Sequence, residues 1–132
     1  MILDTNVLVS GIFFGGYPYR ILDAWKRGKI RIVLSEEIFD EYERVIKELS
    51  RKFKEIDVSE LLTLIAINSI WVGTNPLPFN VSEDPDDDKF ISCAIASRTR
   101  CVISGDKHLL ALSGFQGIEV LKPKVFVERY LK

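Results

Sequence analysis

The chain predicts an α/β domain with a mostly parallel sheet. Short β-rich apolar runs alternate with segments of helical periodicity, which is the pattern of strands joined by crossover helices. Acids also recur where apolar strands stop, at Asp4 and at Asp106. The 132 residues are enough for one domain built around one core. A hydrophobic fraction of 47% beside a charged fraction of 28% is that of an ordinary globular protein. A net charge of −1 supplies no global basic field, so a nucleic-acid partner would have to be met by a local patch.

The first strand is expected over Met1 to Asp4, followed by a short helix from Asn6 to Phe13 that ends at Gly15-Gly16. A second helix runs from Pro18 to Arg27, with proline in its first turn and Gly28 after its last. Ile30 to Leu34 reads as a strand, and Ser35 caps a long helix to Leu49 with Glu36 and Glu37 in its first turn. A helix over Val58 to Asn68 precedes a strand at Ile70 to Gly73 and a loop at Thr74 to Asn80. Asp84 reads as an N-cap with Pro85 at the first helical position, and that helix continues to Arg98. Cys101 to Ser104 and Ile118 to Leu121 complete five strands, with a short helix after Asp106 and a last helix from Pro123 to Tyr130.

Two cysteines, Cys93 and Cys101, have neither metal-ligand nor disulfide-framework spacing and read as packing thiols in a reducing compartment. Asp4 would interrupt the apolar region of a secretory signal. The longest apolar stretch, Leu61 to Val72, is shorter than the roughly 20 residues of a membrane helix. These features predict a cytoplasmic protein without a membrane partner. Trp25 and Trp71 are expected in the core, and His108, the one histidine, on the surface of the helix after Asp106.

Helical geometry sorts the acids. In the helix after Ser35 the apolar stripe is Ile38, Tyr42, Val45, Ile46 and Leu49. At ~100° per residue Glu41 falls about 60° from Ile38 and about 40° from Val45, nearer the buried face than Glu36, Glu37, Asp40 or Glu43. In the Asp84 helix the inner face is marked by Ile91 and Ile95; Asp88 lies one turn before Ile91, and Asp84 one turn earlier still. Asp86 points outward and Asp87 lies at the edge near Ala94. Ligands of an open parallel sheet bind outside the carboxyl ends of the strands, the edge where Asp4 and Asp106 sit and where helices following strands begin. Four carboxylates, Asp4, Glu41, Asp88 and Asp106, can therefore converge.

Converging carboxylates repel one another, and a hard divalent cation removes the conflict. Mg²⁺ and Mn²⁺ prefer all-oxygen sites; no His or Cys cluster is present to select zinc. Such a centre suits phosphodiester hydrolysis by activated water. Thr5, Asn6, Ser104 and Asp84 are placed to support ligands or water. Arg20, Lys26, Arg27, Lys89 and Lys107 are candidate phosphate contacts, and Tyr17 and Tyr19 candidate base-stacking residues. Each motif also has a plainer reading: Asp4-Thr5-Asn6 as a helix cap, the Asp84 run as a solvated helix start, Glu41 as an ion-pair partner, and Asp106 as a turn residue or N-cap.

The run Ile2-Leu3-Asp4-Thr5-Asn6-Val7, the Ser35-to-Val45 helix bearing Glu41, Asp84-Pro85-Asp86-Asp87-Asp88-Lys89-Phe90, and Ile103-Ser104-Gly105-Asp106 before Leu109-Leu110 together resemble the PIN-domain (PilT N-terminus) family, in its prokaryotic VapC-like toxin branch. The resemblance spans nearly the whole chain. It implies a three-layer α/β/α sandwich and a Mg²⁺- or Mn²⁺-dependent ribonuclease acting on single-stranded RNA. It carries the family's acids onto Asp4, Glu41, Asp88 and Asp106, and the polar residue beside the first acid onto Thr5 or Asn6. The tract Asp86-Asp87-Asp88 leaves three choices for the third acid. A small antitoxin partner and a homodimer are further implications. Two other functions compete. One is a non-catalytic RNA- or partner-binding module on the same fold. The other is a phosphatase with an aspartate nucleophile, which wants a second acid where Asn6 stands.

Overall fold

The computed structural model describes residues 1–53, 57–75 and 85–131. Its strands are β1 (Ile2–Leu3), β2 (Val33–Leu34), β3 (Ile70–Trp71), β4 (Cys101–Ile103) and β5 (Glu119–Leu121). Its helices are α1 (Thr5–Phe13), α2 (Gly16–Lys26), α3 (Glu36–Ser50), α4 (Val58–Asn68), α5 (Asp88–Ser97), α6 (Lys107–Leu110) and α7 (Pro123–Tyr130). All strand pairs are parallel, and helices cover both sides of the sheet, as in the PIN-like fold.

One five-stranded ladder was the expectation. The strands instead form a three-stranded ladder, β1-β4-β5, and a separate pair, β2-β3. The seam between them is narrow: Met1 N donates to Arg31 O at 2.9 Å and Val33 N to Met1 O at 2.8 Å. Those two bonds are a single parallel bridge, too short to extend the ladder. The lateral order is therefore β3-β2-β1-β4-β5, and the direction of winding reverses between β1 and β4. That is the switch point at which an open parallel sheet leaves a crevice.

The core is sheet against helix. Ile2, Leu3, Val102 and Ile103 from the middle strands are fully buried, as are Ile38, Tyr42 and Ile46 from one face of α3 and Ile91 from α5. This is the stripe that the 3.6-residue period marks in α3. Ser35 Oγ accepts from Ile38 N at 3.3 Å, the expected cap. Helices α1 and α2 approach so closely at Gly11 that a Cβ there would stand 2.8 Å from Pro18 O. Among the described residues no helix is long and apolar enough to cross a membrane.

Three local expectations are corrected. Residues Pro85–Asp87 form a 3₁₀ turn and the α-helix starts only at Asp88; Asp84 and the segment 76–80 of the expected loop lie outside the described residues. Trp71 is 44% exposed, whereas Trp25 is buried. The Trp71 indole donates to Ala66 O at 2.8 Å and its ring packs on Phe39 at 5.1 Å, so the edge strand β3 holds it against α3 and α4 rather than beneath them. His108 is partly buried within α6.

Candidate active site

Asp4 follows β1 directly. Its N–H completes the sheet by donating to Ile103 O at 2.9 Å, and its carbonyl accepts from Val7 and Leu8 to start α1. Its backbone is extended (φ −59°, ψ 143°), so the carboxylate leaves the strand end at the mouth of the β1–β4 crevice. Asp4 is only 6% exposed, and Thr5 and Ser104 are also buried. Ser104 Oγ donates to Asp4 Oδ2 at 2.7 Å and accepts from Asp106 N at 2.9 Å. One hydroxyl thus ties the carboxyl end of β1 to the turn after β4. Asp106 caps α6, accepting at Oδ1 from His108 N at 2.6 Å. The plainer reading of Asp106 as an N-cap holds, and the residue still lies beside Asp4.

Burial pushes the Asp4 carboxyl up from its ordinary value; the Ser104 hydrogen bond opposes this, and the negative charges of Asp106 and Glu41 push it further up. Three of the four expected acids therefore share one electrostatic environment. Beneath them Tyr42 Oη donates to Leu3 O at 2.5 Å. Burial, with the Asp4 charge next, raises its phenol well above the usual range, so it stays a neutral donor that braces the end of β1. Nothing in the helical stripe distinguished Tyr42 from an ordinary core residue; the need of a buried phenol for a partner was the available signal.

Glu41 projects from α3 into this group and is partly buried. Thr5 Oγ1 donates to its Oε2, and Lys89 Nζ donates to its Oε1 at 2.9 Å. The side chains of Lys89 and Glu41 are 13% and 19% exposed, so solvent screens this pair far less than it does the helix-surface pairs Arg27–Asp23 and Lys47–Glu43. Lys89, expected to face phosphate, faces a carboxylate instead.

The third acid is less simple than the helical count implied. Asp88 opens α5 and is partly buried, Asp87 is buried, and Asp86 is exposed. A 3₁₀ turn advances ~120° per residue rather than ~100°, which changes the phase of Asp86 and Asp87 relative to the helix. Among the described residues no three His, Cys, Asp or Glu side chains are grouped to hold an ion. The donor chemistry still fits a hard cation, being all oxygen and mutually repelling. Each Glu41 oxygen accepts one hydrogen bond and keeps further acceptor capacity, so an ion ligated by Glu41 would be drawn up against the Lys89 ammonium.

The remaining candidates are scattered. Asn6 is exposed at the start of α1, and Lys107 is exposed next to Asp106. Arg20 lies 5.9 Å from the Tyr17 ring, and both are exposed with Tyr19 on α2. Lys26 and Arg27 end α2 next to the segment entering β2; Lys26 lines a cavity of about 610 Å³ with Ile30 and Ile70. That is the amino edge of the sheet, opposite the acids. Cys93 and Cys101 are free thiols whose burial pushes them up to about 12 and about 11, which keeps them protonated and unreactive.

The PIN-domain profile matches residues 1–108, a span that contains Asp4, Glu41, Asp88 and Asp106. The uncharacterized protein MJ1680 of Methanocaldococcus jannaschii is 33% identical over 143 aligned positions, which cover 100% of this chain and 92% of that protein. With a parallel sheet that reverses its winding beside Asp4 and Ser104, and a match whose span takes in all four acids, this chain belongs to the PIN-domain family, whose members are generally nucleases.

Proposed function

We propose that the protein is a Mg²⁺- or Mn²⁺-dependent endoribonuclease that hydrolyses phosphodiester bonds of single-stranded RNA. The observation that carries this reading is the meeting of Asp4, Glu41 and Asp106 at the β1–β4 switch point, with Thr5 and Ser104 hydrogen-bonded among them. Asp4, Glu41, Asp106 and Asp88 would hold the ion, which supplies when bound a water acidic enough to serve as nucleophile near neutral pH. The chain's own contribution is positioning. Ser104 fixes one oxygen of Asp4 and leaves the other for a ligand. Thr5 orients Glu41. Asp106 is held by the cap of α6, and the buried floor under Asp4 limits access to the open edge.

Purified protein should cleave single-stranded RNA when Mg²⁺ or Mn²⁺ is supplied. Asp4→Asn should lower the rate by more than about a hundredfold, since even residues that support a ligand cost 10–100-fold. Asparagine can still accept from Ser104, so the circular dichroism and melting should show an intact fold. Cleavage that survives Asp4→Asn would overturn the reading. A second reading, a binding module without catalysis, is favoured by one observation, the engagement of both Glu41 oxygens; a calorimetric titration silent at millimolar Mn²⁺ would select it. The toxin role rests on the sequence resemblance and would be supported by a short, charged reading frame overlapping this gene. The antitoxin and homodimer rest on it too, and light scattering of the purified chain with and without that gene's product tests both.

A further inference from the structure

The Lys89–Glu41 pair differs from Arg27–Asp23, Lys47–Glu43, Lys124–Glu128 and Arg129–Glu119. Those four pairs lie on exposed surfaces, whereas this one is shielded and joins α5 to α3. Lys89 Nζ sits 2.9 Å from a carboxylate oxygen that the nuclease reading assigns to a metal ion. It also lies 5.6 Å from the ring of Phe90, which is buried. The ammonium is therefore held on two sides, by charge and by an aromatic ring. Asp4, Glu41 and Asp106 bring negative charge together, and Lys89 places a positive group on one of them.

We infer that Lys89 is a resident cation: it occupies the metal's place at Glu41 Oε1 while the site is empty, and an entering divalent ion displaces it. It is a positioning residue, acting through Glu41. This inference rests on the nuclease reading and adds to it a regulation of metal entry. Two consequences follow. Lys89 keeps the metal-free site from flying apart by repulsion, because removing one partner of a shielded pair leaves the other charge uncompensated. It also competes with the ion, so metal affinity is lower than the carboxylates alone would produce.

The test is Mn²⁺ calorimetry and thermal melting on the full chain, comparing the wild type with Lys89→Met, Lys89→Gln and Lys89→Arg. Without metal, Lys89→Met should melt lower by about 3–6 °C. With saturating Mn²⁺ it should melt at or above the wild type, and its Mn²⁺ affinity should rise at least about fivefold, the weight of one nearby unit charge even at the dielectric of bulk water. Lys89→Gln, which still donates to Glu41 but carries no charge, should show the same tightening with a smaller metal-free loss. Lys89→Arg should bind Mn²⁺ no more tightly than the wild type. A merely structural lysine would lower stability in both conditions and leave affinity unchanged or weaker. That outcome in Lys89→Gln, with wild-type binding intact, overturns the role of Lys89 and leaves the nuclease reading standing. Absence of Mn²⁺ binding in the wild type and all variants overturns both.

Discussion

The two halves of the site are built differently. Asp4 and Ser104 stand at strand ends, nearly sealed from water, and their positions are set by backbone bonds to Ile103 and Leu121. Glu41, Asp88 and Lys89 stand on helices, partly open, and Glu41 and Lys89 are set by their own contact across the α3–α5 gap. A strand end in a parallel ladder cannot shift without breaking the ladder. A helix-borne side chain can change partner by rotating about its own bonds. The sheet half is therefore the permanent part of the centre and the helix half the adjustable part, which is where metal exchange with Lys89 is expected.

Removing acids from the helix half should have the largest effect. Asp88→Asn and Asp87→Asn should differ: the variant that removes the ligand should lose cleavage by more than about a hundredfold, the other by less than about tenfold. The sequence reading assigns the larger loss to Asp88. The reverse order would mean that the 3₁₀ turn brings Asp87 into play. Equal large losses would make the helix half as rigid as the sheet half.

A smaller effect is expected from Ser104→Ala in the sheet half. That change removes a buried hydrogen bond to a carboxylate and the acceptor of Asp106 N–H. A charge-assisted bond of this kind contributes about 1.5–3 kcal/mol, so melting should fall by about 5–10 °C. Thr5→Ala lies on the boundary, since it loosens Glu41 and not the strand end, and should cost less stability than Ser104→Ala. A Ser104→Ala protein as stable as the wild type would show that the strand ends hold their geometry without this hydroxyl.

Legibility in the sequence follows the same division. Asp4, Ser104 and Asp106 were found because strand ends announce themselves: an apolar run stops at an acid or a turn residue, and parallel-sheet topology sends all such ends to one edge. Glu41 was found by helical phase, since α3 is regular from Glu36 to Ser50. The same count does not extend back from Asp88 through Pro85–Asp87, which form a 3₁₀ turn, because phase cannot be carried across a change of helix type. The Lys89–Glu41 pair was half legible. A carboxylate near a buried face needs a partner, but 48 residues separate this one from its lysine, and only tertiary packing selects it. Trp71 was misplaced because an apolar strand reads the same at the centre of a sheet and at its edge.

The most delicate measurement concerns the charge on Asp4. Its folded-state pKa is raised, first by burial and then by Asp106 and Glu41, against the pull of Ser104. A raised acid binds its proton more tightly when folded than when unfolded, so its ionisation works against the fold. The sign follows: this destabilisation is absent below the ordinary carboxylate value and grows as pH climbs through the interval up to the raised value. It is fully present above that interval. Other acids titrate nearby, so the informative quantity is the metal-free stability of the wild type minus that of Asp4→Asn, followed with pH by urea unfolding. The difference should turn against the wild type as pH climbs through the interval and should level off above it. Saturating Mn²⁺ should reverse that turn, because an ion rewards the ionised carboxylate that the empty site penalises. If the wild type instead gains on Asp4→Asn as pH climbs without metal, the Ser104 hydrogen bond outweighs burial, and the sheet half of the site is prepaid for charge rather than waiting for a cation.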